Sequence, residues 1–244
     1  WADGRNGNLE IYVARQSGSG WEMLGGSAQG GGVSASAASS LRPSLALDAG
    51  GAPVVAWVET LGGTADIRAA RFDAGTGAWS ALGDSLSAGG ISGSGHADRP
   101  VLISTAGGMV AGWLDRTSGV GQVHAKRFDG AAWVHLGTEA LTDPIRGVLE
   151  FSLATDGTKV AVVWSQPRGS QSEIYAKEYD GSAWTSLVGA DPDAGVSGTP
   201  RASSQPTTAY LAGQLFVAWQ DAGDGLGQIY AKRFDGTAWV EAGA

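Results

Sequence analysis

Short runs of Val, Ile, Trp, Tyr and Phe alternate with polar positions along this chain and are broken by Gly-rich punctuation. That period-two pattern predicts β-strands joined by tight turns, and no segment carries a helical period with caps. Strands are predicted over 43–48, 54–59, 66–72 and 78–82, then 100–105, 109–114, 122–128 and 132–136. A third set covers 151–155, 159–164, 173–179 and 183–187, and a fourth covers 206–210, 215–220, 228–234 and 238–241. Asp129-Gly130, Asp180-Gly181 and Asp235-Gly236 sit between third and fourth strands. Asp-Gly supplies the positive φ that a two-residue hairpin needs.

The aromatic residues give the period. Trp1, Trp57, Trp113, Trp164 and Trp219 form one series, spaced by 56, 56, 51 and 55 residues. Trp21, Trp79, Trp133, Trp184 and Trp239 form the second. Ten residues after each first-series Trp comes Ile11, Ile67, Val123, Ile174 or Ile229. A four-stranded antiparallel unit of about 50 residues, repeated with two Trp each, is the signature of a β-propeller blade. The expectation is an all-β, single-domain propeller over 1–244 with about five blades: 1–40 (partial), 41–98, 99–148, 149–204 and 205–244. The first blade lacks its first strand, and open blade edges of this kind favour assembly. Both Trp series recur in every repeat, so all ten are expected to be structural.

Composition narrows the function. Charged residues are 16% of the 244, against roughly 25% in ordinary soluble domains. Net charge is −8 with no basic stripe, which argues against nucleic acid. No apolar run reaches membrane-spanning length. There is no Cys, and His96, His124 and His135 have no ligand spacing, so no metal or cofactor is expected. The Asp- and Asn-rich loops 3–8, 191–193 and 221–224 leave only weak Ca²⁺ binding open.

The segments 229–239, 174–184 and 123–133 combine Ile-Tyr-Ala-Lys-Arg-Phe-Asp-Gly-type strands with Ala-Trp. They resemble the neuraminidase-type, Asp-box-like propeller repeats of secreted and cell-surface bacterial proteins. Asp129-Gly130-Ala131-Ala132-Trp133 keeps the Asp, Gly and Trp of that box, without its leading hydroxyl and with Gly and Trp one residue early. The resemblance implies a secreted or surface bacterial location. It also implies functions ranging from hydrolases to lectins and adhesins.

Long Gly/Ser connections (25–40, 83–97 and 189–204) place the candidate site on the face that carries them. Asp3, Glu59, Asp115 and Asp221 recur there two residues after the first-series Trp, with Gln166 in the fourth repeat. They read either as a carboxylate ring or as local partners of Arg42 and Arg99. Tyr12, Arg68, His124, Tyr175 and Tyr230 share one third-strand position and read as a ligand surface or as packing. No catalytic constellation appears. The leading expectation is a non-catalytic binding or adhesion propeller for glycan or protein, since repeated weak sites suit multivalency. The alternatives are a structural assembly module and a sialidase-like glycoside hydrolase.

Overall fold

The structure is a computed structural model that describes residues 1–5, 7–18, 20–27, 30–137, 140–187, 195–223 and 226–242. Asn6, Asp191, Asp193 and Asp224 of the proposed cation loops lie outside the described residues. The described residues form twenty strands and no helix.

Blade 1 consists of β1 (Ala2–Asp3), β2 (Glu10–Ile11), β3 (Ala14–Ser17) and β4 (Gly20–Met23), paired as two short ladders, β1-β2 and β3-β4. Blade 2 is a four-stranded meander of β5 (Ser39–Leu47), β6 (Pro53–Leu61), β7 (Thr64–Asp73) and β8 (Ala78–Ala81). Blade 3 is β9 (Ala97–Thr105), β10 (Gly108–Asp115), β11 (Gln122–Phe128) and β12 (Trp133–His135). Blade 4 is β13 (Glu150–Thr155), β14 (Val160–Arg168), β15 (Gln171–Tyr179) and β16 (Trp184–Ser186). Blade 5 is β17 (Ala202–Leu211), β18 (Gln214–Gly223), β19 (Leu226–Phe234) and β20 (Trp239–Glu241). Residues 1–117 with 124–136 make one compact unit, and 118–123 with 137–244 a second.

First strands begin three or four residues earlier than the pattern predicts in blades 2, 3 and 5. A bulge is the reason. Arg42, Arg99 and Gln205, each followed by Pro, take φ values of 51°, 52° and 52°, and the strand continues through the irregularity. A bulge of this kind re-aims a side chain. Arg42 therefore pairs with Asp98 on β9 at 3.0 Å, and not with Glu59 across its own hairpin as expected.

The two Trp series have different jobs. Trp57, Trp113 and Trp219 are buried on second strands. Each first-series Trp faces the third strand: Trp1, Trp113, Trp164 and Trp219 stack on Tyr12, His124, Tyr175 and Tyr230 at 5.8–6.1 Å, and Trp57 lies opposite Arg68. In the second series Trp79, Trp133 and Trp239 clamp consecutive blades, whereas Trp21, expected to be structural like the rest, is exposed. The indole N–H of Trp79 donates to the Leu24 carbonyl, Trp133 to Leu82 and Trp239 to Leu187, at 2.9–3.0 Å. The ring of Trp79 fits against Gly25, where a Cβ would come within 2.7 Å of it.

The core lies between blades. In the first unit, Val58, Ile67 and Ala69 of blade 2 pack with Leu102, Met109 and Trp113 of blade 3. In the second, Val163, Ile174 and Ala176 of blade 4 pack with Leu215, Val217 and Trp219 of blade 5. A sheet apolar on both faces needs few charges, which accounts for the low charged fraction.

Candidate functional site: carboxyl pairs at the blade junctions

In the first four blades the β-branched residue Ile11, Ile67, Val123 or Ile174 faces the connection to the next blade. That connection carries Gly32-Val33-Ser34, Gly90-Ile91-Ser92, Ala140-Leu141-Thr142 and Gly195-Val196-Ser197. The amides of Val33, Ile91, Leu141 and Val196 donate to the carbonyls of Ile11, Ile67, Val123 and Ile174 at 2.6–2.8 Å. The hydroxyls of Ser34, Ser92, Thr142 and Ser197 accept the amides of those four residues at 3.0–3.1 Å. Gly32, Gly90 and Gly195 have positive φ, and a Cβ on any of them would run into the carbonyl of Ile11, Ile67 or Ile174. The aliphatic residue is then locked from the next blade: Lys126 donates to the Ile91 carbonyl, Lys177 to Leu141 and Lys232 to Val196, at 2.7–3.0 Å.

The same Ser positions anchor a carboxylate. Ser34 donates to Glu10, Ser92 to Asp66 (2.8 Å) and Ser197 to Glu173. Two residues on, a second hydroxyl reaches the following blade: Ser94 bonds Asp115, and Thr199 donates to Asp221 at 2.9 Å. One Ser-x-Ser/Thr segment thus ties an acid of one blade to an acid of the next. Asp66 is coupled to Asp115 in the first unit, and Glu173 to Asp221 in the second.

This arrangement places the acidic positions singled out in the sequence. Asp115 and Asp221 are buried and face the junctions. Glu59 is held by Arg68 at 3.1 Å. Asp3 is half-buried and pairs with Arg5 at 2.6 Å, which holds its carboxyl below the ordinary Asp range. The third-strand row Tyr12, Arg68, His124, Tyr175 and Tyr230 forms the tier of partners against the Trp rings and Glu59 described above.

The two couples are not equivalent electrostatically. Burial alone would raise the Asp115 carboxyl. Hydrogen bonds from Ser94 and from the amide and hydroxyl of Thr117 outweigh it and hold the group below the ordinary Asp value. Glu173, 2% exposed, goes the other way. Burial pushes its carboxyl up, the negative charge of Asp221 adds to the push, and Ser197, the Gly198 amide and Arg168 at 3.9 Å do not cancel it. Asp221 Oδ1, Ser203 Oγ and Trp219 Nε1 are all buried without a hydrogen-bond partner among the described residues. This junction therefore holds two buried carboxyls, one pushed toward its protonated form and one with an oxygen free of partners.

A second polar region opens on the opposite, tight-turn side of blades 4 and 5. It is a cleft of about 530 Å³ whose lining includes Glu178, Asp180, Gln214 and Asp235. Glu178 is already consumed there, by Lys159 at 2.7 Å and by the Tyr210 hydroxyl at 2.6 Å. Asp180 accepts from the amides of Ser182 and Ala183 in its own turn, which draws its pKa down to about 2. Asp180, fixed in the ionised state, closes its turn well and is a poor proton donor. No group of three or more His, Asp or Glu suited to a metal ion exists among the described residues.

The sequence reading missed Glu173, Asp66 and Glu10. Their signal was available: each directly precedes the β-branched residue that follows a first-series Trp by ten.

Neither a protein-family model nor a curated protein sequence matches the chain. Solved structures do. An α-L-arabinanase from Penicillium chrysogenum, complexed with arabinobiose, matches with a TM-score of 0.50 at 15% identity, over 80% of this chain and 62% of that one. Zg3597, a family 117 glycoside hydrolase from the marine bacterium Zobellia galactanivorans, matches with a TM-score of 0.54 at 12% identity, over 84% and 69%. A protein of unknown function from Dyadobacter fermentans gives 0.51 at 13%, over 85% and 70%. The chain spans less than two thirds of the arabinanase's own length. The fold is an all-β propeller. The expectation of a non-catalytic adhesion domain does not stand beside these findings: the arabinanase and the family 117 enzyme that the chain resembles are glycoside hydrolases. Kinship with neuraminidase repeats in particular is matched by no family model.

Proposed function

We propose that the protein hydrolyses glycosidic bonds. The observation that carries this reading is the Glu173–Asp221 couple. Glu173, held toward its protonated form, acts as general acid and gives its proton to the departing glycosidic oxygen as the bond to the anomeric carbon breaks. Asp221, with Oδ1 free of partners, takes a proton from the water that adds to that carbon. The sum is one water consumed per bond cleaved. The exposed guanidinium of Arg168 lies 3.9 Å from Glu173. Glycan substrates are supported by the fold shared with the arabinanase and the family 117 enzyme. A secreted or cell-surface bacterial setting fits polymeric substrates of that kind.

The test is release of nitrophenol from a panel of nitrophenyl glycosides, and of monosaccharide from arabino-oligosaccharides, by the intact chain. Turnover that disappears in a folded Glu173→Gln variant supports the proposal. A wild-type chain inert on the whole panel, or turnover untouched by Glu173→Gln, removes it.

A further inference from the structure

The three unpartnered polar atoms of blade 5, Asp221 Oδ1, Ser203 Oγ and Trp219 Nε1, share one patch. Ser203 of β17 lies directly across the ladder from Asp221 of β18, and Trp219 precedes Asp221 by two residues. Side chains so placed leave the same face of a sheet. That face is the one packed on blade 4, because Trp219 belongs to the core shared with Val163, Ile174 and Ala176.

Among the described residues, no other blade leaves carboxylate, hydroxyl and indole open together. In blade 4 the residue two after Trp164 is Gln166, whose Oε1 accepts the indole N–H at 3.0 Å. In blade 3 the Trp113 N–H is open, but Ala97 stands opposite Asp115, and Ser94 and Thr117 occupy that carboxylate. In blade 2 Ser40 and Trp57 are open, but Glu59 opposite Ser40 is held by Arg68.

The chemistry of the blade 5 trio selects its ligand. An indole N–H only donates and repels a cation, a carboxylate oxygen only accepts and repels an anion, and a hydroxyl does either. A neutral molecule that both donates and accepts satisfies all three. Exposures of 0% for Ser203, 1% for Asp221 and 2% for Trp219 admit only the smallest such molecule. Internal water is held by roughly two to four polar partners of this kind.

We propose that Asp221, Ser203 and Trp219 form the seat of a water molecule and, resting on the glycosidase reading above, that this is the water the reaction consumes. The indole N–H donates to the water oxygen. The water donates one hydrogen to Asp221 Oδ1 and the other to Ser203 Oγ, which leaves one lone pair for attack. As the oxygen adds to the anomeric carbon, the hydrogen facing Asp221 passes to the carboxylate. The proton of Glu173 goes to the departing glycosidic oxygen. Ser203 and Trp219 orient the water and exchange no proton with it.

A crystal structure of the intact wild-type protein is expected to place an ordered water about 2.6–3.2 Å from all three atoms. On a nitrophenyl glycoside that the wild type turns over, Ser203→Ala should lower kcat by about tenfold to a hundredfold with KM unchanged, since the water is misplaced and substrate binding is not. Ser40→Ala removes the equivalent hydroxyl of blade 2 and should leave kcat unchanged. The crystal result comes from wild-type protein and stands whatever the folding of Ser203→Ala. An active chain with no water at the trio, or with Ser203 or Trp219 bonded directly to Asp221, overturns this proposal alone. A seated water with kcat untouched by Ser203→Ala, or lowered equally by Ser40→Ala, overturns the hydrolytic role. A seated water in a chain inert on every glycoside supports the seat and defeats both that role and the reading it rests on.

Discussion

The junction between blades 2 and 3 and the junction between blades 4 and 5 use one pattern and reach opposite electrostatic states. In both, a Ser-x-Ser/Thr segment joins an acid before the β-branched residue to an acid two places after a Trp. Asp115 receives three local hydrogen bonds and is stabilised as an anion. Asp221 receives one from Thr199 and keeps an oxygen free, because Gly223 stands where Thr117 supplies a hydroxyl. Its unrelieved charge is felt by Glu173, which is too deeply buried to ionise cheaply. A repeat fold acquires an asymmetric site in this way, by omitting one hydroxyl from a device that is otherwise structural.

The strongest break in the comparison is catalytic. Glu173→Gln and Asp221→Asn are expected to lower glycoside turnover by about 10²–10⁴-fold, the usual weight of a general acid or base. Asp66→Asn and Asp115→Asn should leave turnover within a few-fold of wild type, as steady-state kinetics on the same substrate would show. Next in size is the hydroxyl bridge. Ser92→Ala and Ser197→Ala each leave a buried amide and a carboxylate short of a partner, which costs about 1–3 kcal/mol in urea unfolding. Equal stability of both variants and wild type would show that the bridges are ornamental.

The pH dependence of stability should separate the couples by sign. Glu173 has a folded pKa above its unfolded value. Its contribution is complete below the ordinary Glu range and declines as pH rises through the raised value. Asp115 has a lowered pKa, so its contribution is present above the ordinary Asp range and is lost as pH falls through the lowered value. Unfolding free energies measured from acid to neutral pH should therefore lose their alkaline decline in Glu173→Gln and their acid decline in Asp115→Asn. The smallest effect belongs to the rim. A double-mutant cycle on the exposed Arg42 and the half-buried Asp98 should give at most about 1 kcal/mol.

Much of this architecture was legible in the sequence, because the Trp spacing reports a covalent period that the blades must obey. Strand β11 runs over the 122–128 the pattern predicts, and the Asp-Gly turns fall where strands three and four meet. The Arg-Pro bulges were not legible. A left-handed residue before Pro contradicts local preference at Arg42, Arg99 and Gln205 alike. The junction acids were hidden for another reason. Connections such as 83–97 look like low-complexity Gly and Ser, while the informative residues within them are single hydroxyls. Their partners lie 19–25 residues upstream, a range no strand or turn rule inspects.

The second-series Trp clamp has one more consequence. Trp79 reaches back to Leu24, Trp133 to Leu82 and Trp239 to Leu187, so each bond couples a blade only to the one before it. Couplings of that kind behave like a row of dominoes. Folding can start at any blade and spread outward, and a duplicated unit arrives with its own hook and its own eye. Natural selection can lengthen such a chain one blade at a time, while a single junction is free to drift toward chemistry.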